Sequence, residues 1–147
     1  GLFDLVLQAQ GDLEVDFHHT VEDVGIAMGQ GIKEALGEGA GIRRFGEALA
    51  PMDEALSRVA LDVSGRPYLG YRVEARGRIK DFSTELVESF FKAVVDHAGL
   101  TLHLDLLYGT NLHHAVEALF KGFGRALDAA TRPDERRSGV PSTKGML

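Results

Sequence analysis

Apolar and polar positions along the chain switch between a helical and an alternating period, and the switches mark out elements. From Thr20 to Leu36 the apolar residues Val21, Val24, Ile26, Ala27, Met28, Ile32, Ala35 and Leu36 follow helical spacing, and Gly37, Gly39 and Gly41 end the run. Glycines at 25, 29 and 31 lower the intrinsic propensity of this helix, so close packing against a neighbour is the expected reason for them. A second amphipathic helix is predicted over Thr84–His97, with Leu86, Val87, Phe90, Phe91, Val94 and Val95 inward, and a third over Asn111–Ala130. Strands are predicted at Leu2–Ala9 and Leu13–Phe17, joined by Gly11-Asp12 as a hairpin, and at Ala55–Val63, Tyr68–Glu74 and Leu100–Tyr108. Ser64-Gly65-Arg66-Pro67 reads as a turn, Arg76–Lys80 as a polar connector, and the stretch between the first helix and Ala55 as a loop. Thr131–Leu147, with two prolines and two glycines, reads as a loop or extended arm. The order β-β-α-loop-β-β-α-β-α predicts an α+β protein with a mixed or antiparallel sheet and its helices on one face.

A length of 147 residues suits one compact domain or two small pseudo-repeats sharing a core. The net charge of -6 leaves no basic footprint for nucleic acid, so an anionic ligand would need its own local cations. The apolar runs are too short to span a membrane. Cysteine is absent, which excludes disulfides and thiolate metal sites and leaves His and carboxylate as the only metal donors. It also fits a cytoplasmic protein. The chain opens at Gly1 and runs at once into an apolar stretch, so processing or a preceding segment is expected.

Four of the six histidines fall in two copies of one pattern, His18-His19-Thr20-Val21-Glu22 and His113-His114-Ala115-Val116-Glu117, each opening a predicted helix. Residues four apart on a helix share a face, so His18 with Glu22, and His113 with Glu117, can grip one ion together. The second histidine of each pair lies about 100° around the helix and must serve another target, such as the ion of the other half or of a neighbouring subunit. Such donors suit manganese, iron or zinc. His103, on the strand before the third helix, is the natural further ligand to the second motif, whereas His97 sits at a helix end and reads as a surface or capping residue. A lone histidine is most often structural; two copies at one spacing, in similar contexts, favour metal binding.

Pro141-Ser142-Thr143-Lys144-Gly145 combines hydroxyls, an ammonium and a flexible backbone, a composition that can cradle phosphate. Arg44 after a glycine turn, and Arg66 in its own turn, could add bidentate contacts. Lys121 lies one turn beyond Glu117 and either projects along the same face or pairs with that carboxylate.

These stretches resemble the imidazoleglycerol-phosphate dehydratase family nearly end to end. The resemblance is carried by Asp16–Gln30 (DFHHTVEDVGIAMGQ), GIRRFGEA from Gly41, PMDEAL from Pro51, LDVSGRPYLG from Leu61, NLHHAVEALFK from Asn111 and PSTKGML at the end. It implies a hydro-lyase of histidine biosynthesis that converts imidazole glycerol phosphate to imidazole acetol phosphate, with two manganese ions per active site binding the substrate's ring. It implies a fold of duplicated half-units, each a small sheet with paired helices on one face, like domain 2 of ribosomal protein S5. The first pseudo-repeat would span 1–63, incomplete at its start, and the second 64–147 with the phosphate-binding tail. The implied ligands are His19, His103, His113 and Glu117 at one ion and His18, Glu22 and His114 at the other. Arg44, Arg66, Lys121, Ser142, Thr143 and Lys144 are the implied phosphate contacts; chemically, Glu22 and Glu117 can shuttle protons, with basicity reduced where they bind metal. The implied partners are a phosphorylated imidazole substrate and further copies of the chain, in trimers that assemble into a large cage with metal sites between subunits. The family also carries an upstream segment with an Asp-His-Met histidine and a glutamate, which this sequence begins after. Two other readings stay open: a different dinuclear metal hydrolase using metal-activated water, and an inactive module whose ions only join subunits.

Overall fold

The computed structural model describes residues 3–136 and 139–142. Its elements run α1 (His18–Leu36), β1 (Phe45–Met52), β2 (Ala55–Asp62), β3 (Tyr68–Arg72), β4 (Arg78–Ile79), β5 (Phe82–Ser83), α2 (Glu85–Ala98), β6 (Thr101–Tyr108) and α3 (Leu112–Thr131). Four strands form one sheet in the order β1-β2-β6-β3, and β4-β5 make a separate short ribbon. β1, β2 and β6 pair antiparallel, while β3 lies parallel to β6 because α2 carries the chain back between them. The result is the α+β arrangement that the pattern predicts, with a small mixed sheet.

One face of the sheet supplies the core. Ala48, Val59, Leu61, Leu102 and Leu104 point at Val87, Phe91, Val94 and Val95 of α2 and at Leu119, Phe123, Ala126 and Leu127 of α3. α3 lies across β1 and β2, and α1 packs on α2. The glycines of α1 explain that contact: a Cβ at Gly25 would stand 2.8 Å from the Phe90 carbonyl oxygen, and one at Gly29 2.7 Å from that of Val94. Gly31 faces open space and has no such role. The matching order of these contacts makes α1 and α2 parallel. Phe17, just before α1, packs edge-on against Phe82, just before α2. Gly77, hydrogen-bonded to the Thr84 side chain that precedes α2, lies against Leu112 at the start of α3. All three helices therefore begin at the same end of the molecule.

Three expectations need correction. The hairpin predicted over Leu2–Ala9 and Leu13–Phe17 does not form: described residues 3–17 are coil and a turn, almost all exposed. An alternating segment becomes a strand only beside another strand, and none lies next to this one. The stretch read as a loop holds β1. Its inward positions are Gly46, Ala48 and Ala50, because α3 crosses so closely that a Cβ at Gly46 would fall 1.9 Å from the Ala126 carbonyl oxygen. Small inward residues hide the alternation that marks a strand. The polar connector Arg76–Lys80 contains β4. The sheet draws strands from both sides of the 63/64 boundary. No helix among the described residues is long and apolar enough to cross a membrane.

Candidate metal centre

Both histidine motifs open a helix, as their sequence predicts. Asn111 caps α3, its side-chain oxygen accepting the backbone N–H groups of His113 at 2.9 Å and His114 at 3.3 Å. Asp16 stands at the equivalent place before His18 and accepts the His18 N–H at 2.7 Å. A residue two positions ahead of each histidine pair thus accepts an N–H at the helix start, Asn111 as the cap of α3 and Asp16 one position before the Phe17 cap of α1. That signal was present in the sequence as Asp and Asn, the residue types that satisfy free helix N–H groups.

Within each motif the spacing of four brings imidazole and carboxylate together on the helix surface. His18 Nε2 lies 3.8 Å from Glu22 Oε2, and His113 Nε2 lies 3.3 Å from Glu117 Oε2. Two donors each about 2.1 Å from one ion stand roughly 3 to 3.5 Å apart, so these pairs have the span of two ligands on a shared ion, the His18 pair slightly open. Both pairs face solvent. Rings of the paired histidines, His18–His19 and His113–His114, meet edge-on with centroids about 6 Å apart. Among the described residues no three His, Asp or Glu side chains converge to hold an ion. One chain thus presents two exposed His–Glu pairs at the same end of its helical layer. His19, His103 and His114 join neither.

His103 sits on the open face of the sheet, opposite Gly70 on β3 and against Tyr68 in a tilted ring contact with centroids 5.4 Å apart. Gly70 leaves room for the ring: a Cβ there would be 2.6 Å from His103 Nδ1. Two residues on, buried Asp105 is held by Arg72 at 2.5 Å and Arg58 at 2.9 Å. His97 hydrogen-bonds through Nδ1 to the Ala93 carbonyl of its own helix, in keeping with a helix-end role.

Lys121 pairs with Glu117 Oε1 at 2.7 Å, leaving Oε2 toward His113. The ammonium's hydrogen bond, followed by the nearby charges of Lys121, His113 and His114, holds the Glu117 carboxyl below the usual range against a smaller opposing effect of burial. Glu54, in the β1–β2 turn, was not singled out from sequence. Its Oε1 accepts the N–H groups of Asn111 at 2.8 Å and Thr110 at 3.2 Å, and its Oε2 meets His114 Nδ1 at 2.7 Å. The His114 hydrogen bond first, then the Asn111 N–H, bring its carboxyl down to about 2. No local pattern could reveal a contact across 60 residues.

The candidate phosphate residues gather elsewhere. Arg44, in a left-handed conformation with φ 76°, donates to both oxygens of Asp62 at 2.7 and 3.1 Å and to the Pro141 carbonyl at 2.8 Å. It thereby ties the tail beside Ser142 to the end of β2. Arg66 is exposed in the turn that follows. Thr143 and Lys144 lie outside the described residues. Backbone N–H of Arg44 bonds to the Ala130 carbonyl, near the end of α3. Seventeen residues of helix separate Ala130 from His113, roughly 25 Å at 1.5 Å each. Arg44 and Ser142 therefore stand at the opposite end of the molecule from both histidine motifs, with Lys121 between.

Comparison with known proteins bears on this arrangement. The family model described as imidazoleglycerol-phosphate dehydratase matches residues 1–127. The chain is 62% identical to the imidazoleglycerol-phosphate dehydratase of Acetivibrio thermocellus, covering all of this chain and 76% of that protein. It is 59% identical to that of Syntrophobacter fumaroxidans, covering 75% of its length. Among solved structures, the dehydratase of Staphylococcus aureus superposes with a TM-score of 0.80 at 46% identity, over 86% of this chain and 72% of the other. The Pyrococcus furiosus enzyme in complex with (S)-C348 gives 0.78 at 42% identity, over 88% and 71%.

Proposed function

Because the chain belongs to the imidazoleglycerol-phosphate dehydratase family, we propose that its two histidine–glutamate pairs are halves of dinuclear manganese sites completed by further copies of the chain. The family's reaction is a dehydration, so the enzyme is a hydro-lyase. The observation that carries the composite site is the separation of about 25 Å along α3 between its histidine motif and Arg44. A small phosphorylated substrate cannot bridge that distance, but the two ends of different copies can meet.

On this reading His18, Glu22 and His114 belong to one ion, and His19, His103, His113 and Glu117 to the other. Manganese bound there supplies Lewis-acid stabilisation of charge developing on the substrate's imidazole ring. The chain's own residues do the rest. Arg44, Arg66, Lys121 and Ser142, with Thr143 and Lys144, orient the phosphate. Loss of water requires a proton taken from carbon and a proton given to the departing hydroxyl, and Glu22 and Glu117 are the groups assigned to that transfer. Lys121 on Oε1 keeps Glu117 ionised and leaves Oε2 on the side shared with His113, where the ion would sit.

The test combines manganese titration, sedimentation and an assay that separates dehydration of imidazole glycerol phosphate from phosphate release. The expected result is two manganese ions per chain, a larger assembly when metal is present, dehydration without phosphate release, and loss of one ion in His113→Ala. Glu117→Gln should lose turnover, with manganese content measured alongside to separate loss of a proton group from loss of a ligand. Unchanged manganese uptake in a His18→Ala/His113→Ala double variant would overturn the metal assignment, and normal turnover of Glu117→Gln with intact metal would remove its proton role.

A further inference from the structure

We propose that Glu54 is a positioning residue that fixes the orientation and tautomer of His114, so that Nδ1 carries the ring proton and Nε2 offers its lone pair outward. This deepens the metal reading above and rests on it only for the purpose of that lone pair. The geometry divides the carboxylate's work between its two oxygens. Oε1 is anchored by the backbone N–H groups of Thr110 and Asn111 and approached by the Thr110 hydroxyl at 3.5 Å. Those groups belong to the segment that delivers the chain from β6 into α3, so Glu54 is referenced to the very backbone that carries His114. Oε2 is left for the ring, 2.7 Å from Nδ1. A carboxylate with its proton gone can only accept, so Nδ1 must donate, and a neutral imidazole then has its acceptor at Nε2. Asp53, in the same turn, lies 3.7 Å from that nitrogen, so the side on which a cation would arrive carries a further negative charge. Carboxylates that hold the second nitrogen of a metal-binding histidine set both ring orientation and ligand strength. The two turn residues therefore act from the end of the β1–β2 hairpin on a helix sixty positions along the chain. The equivalent positions around His18 and His19 show no such ring-nitrogen hydrogen bond to a carboxylate among the described residues; Asp16 there accepts only the His18 backbone N–H.

Glu54→Gln separates this role from mere support of the turn. The amide oxygen must still face the two backbone donors, which turns its NH2 toward His114. Nδ1 must then accept, and the proton moves to Nε2. The experiment is long-range proton–nitrogen NMR on the full chain with labelled histidine, metal-free and at alkaline pH where the ring is neutral, with the His114 signals identified by their absence in His114→Gln. The expected result is an Nδ1–H tautomer in the unsubstituted protein and an Nε2–H tautomer in Glu54→Gln at unchanged helix content. Manganese affinity measured by equilibrium dialysis should then fall about 10- to 100-fold. Glu54→Asp, which restores an accepting group, should recover the Nδ1–H tautomer. The same tautomer in the unsubstituted and Glu54→Gln proteins would overturn the proposal. A chain that binds no manganese but shows the tautomer exchange would overturn the metal reading and support Glu54's hold on the ring.

Discussion

Replacing Gly29 by Ala, with Gly31→Ala as its control, tests how α1 is held against α2 and hence what positions His18 and Glu22. Both substitutions add one methyl to the same helix and both raise its intrinsic propensity by about 1 kcal/mol. They differ in what the methyl meets. At position 31 nothing lies within 4 Å, so the propensity gain stands alone. At position 29 the new Cβ would stand 2.7 Å from the Val94 carbonyl oxygen, 2.8 Å from His97 Cβ and 3.2 Å from the Ala98 nitrogen. Two of these three are backbone atoms of a packed helix and cannot swing aside as the end of a long side chain can. Overpacking of this kind costs about 1–3 kcal/mol. Propensity cancels when the variants are compared with each other, so Gly31→Ala should be more stable than Gly29→Ala by about 1–3 kcal/mol. For a chain of this size that is a gap of roughly 2 to 12 °C in Tm, since each kcal/mol moves Tm by about 2–4 °C. Thermal unfolding followed by circular dichroism, at one protein concentration so that association does not shift the midpoints, measures it. Equal midpoints for the two variants would refute the close α1–α2 contact.

Three further outcomes are expected. The Arg72 hydrogen bond, then that of Arg58, with both their charges, depress the Asp105 carboxyl from its ordinary value of 3.8 against the opposing effect of burial. Its contribution to stability is therefore complete above that value and fades as pH falls through it toward the lower folded-state value; urea unfolding across pH 2 to 6 should show a shallower acid limb in Asp105→Asn. Arg44→Ala removes charge-assisted bonds to Asp62 and Pro141 and should destabilise by about 2 kcal/mol, while limited proteolysis should cut faster near residues 139–142; an unchanged cleavage rate would show that Arg44 does not hold the tail. Asn111→Ala should cost about 1 kcal/mol through loss of the α3 cap, with weaker manganese retention, and normal chemical denaturation of that variant would show the cap to be unimportant.

The three helices, β2, β3, β6 and both histidine motifs were legible in the sequence because each depends on a local period: 3.6 for the helices, two for the strands, and four for the His–Glu pairs. So was the family resemblance, carried by contiguous stretches such as Asp16–Gln30 and Asn111–Lys121. What failed were elements whose identity is set by neighbours. β1 is a strand despite its small inward residues because α3 passes directly over Gly46. Residues 3–17 carry a strand's alternation but have no adjacent strand among the described residues to bond with. Tertiary structure alone decided that both histidine motifs share one end of the molecule while Arg44 and Ser142 share the other, because only the return of α2 between parallel β3 and β6 gives the helices a common direction. It alone brought Glu54 to His114, since a hydrogen bond across sixty residues depends on the β1–β2 turn meeting the start of α3 and leaves no trace in any local spacing.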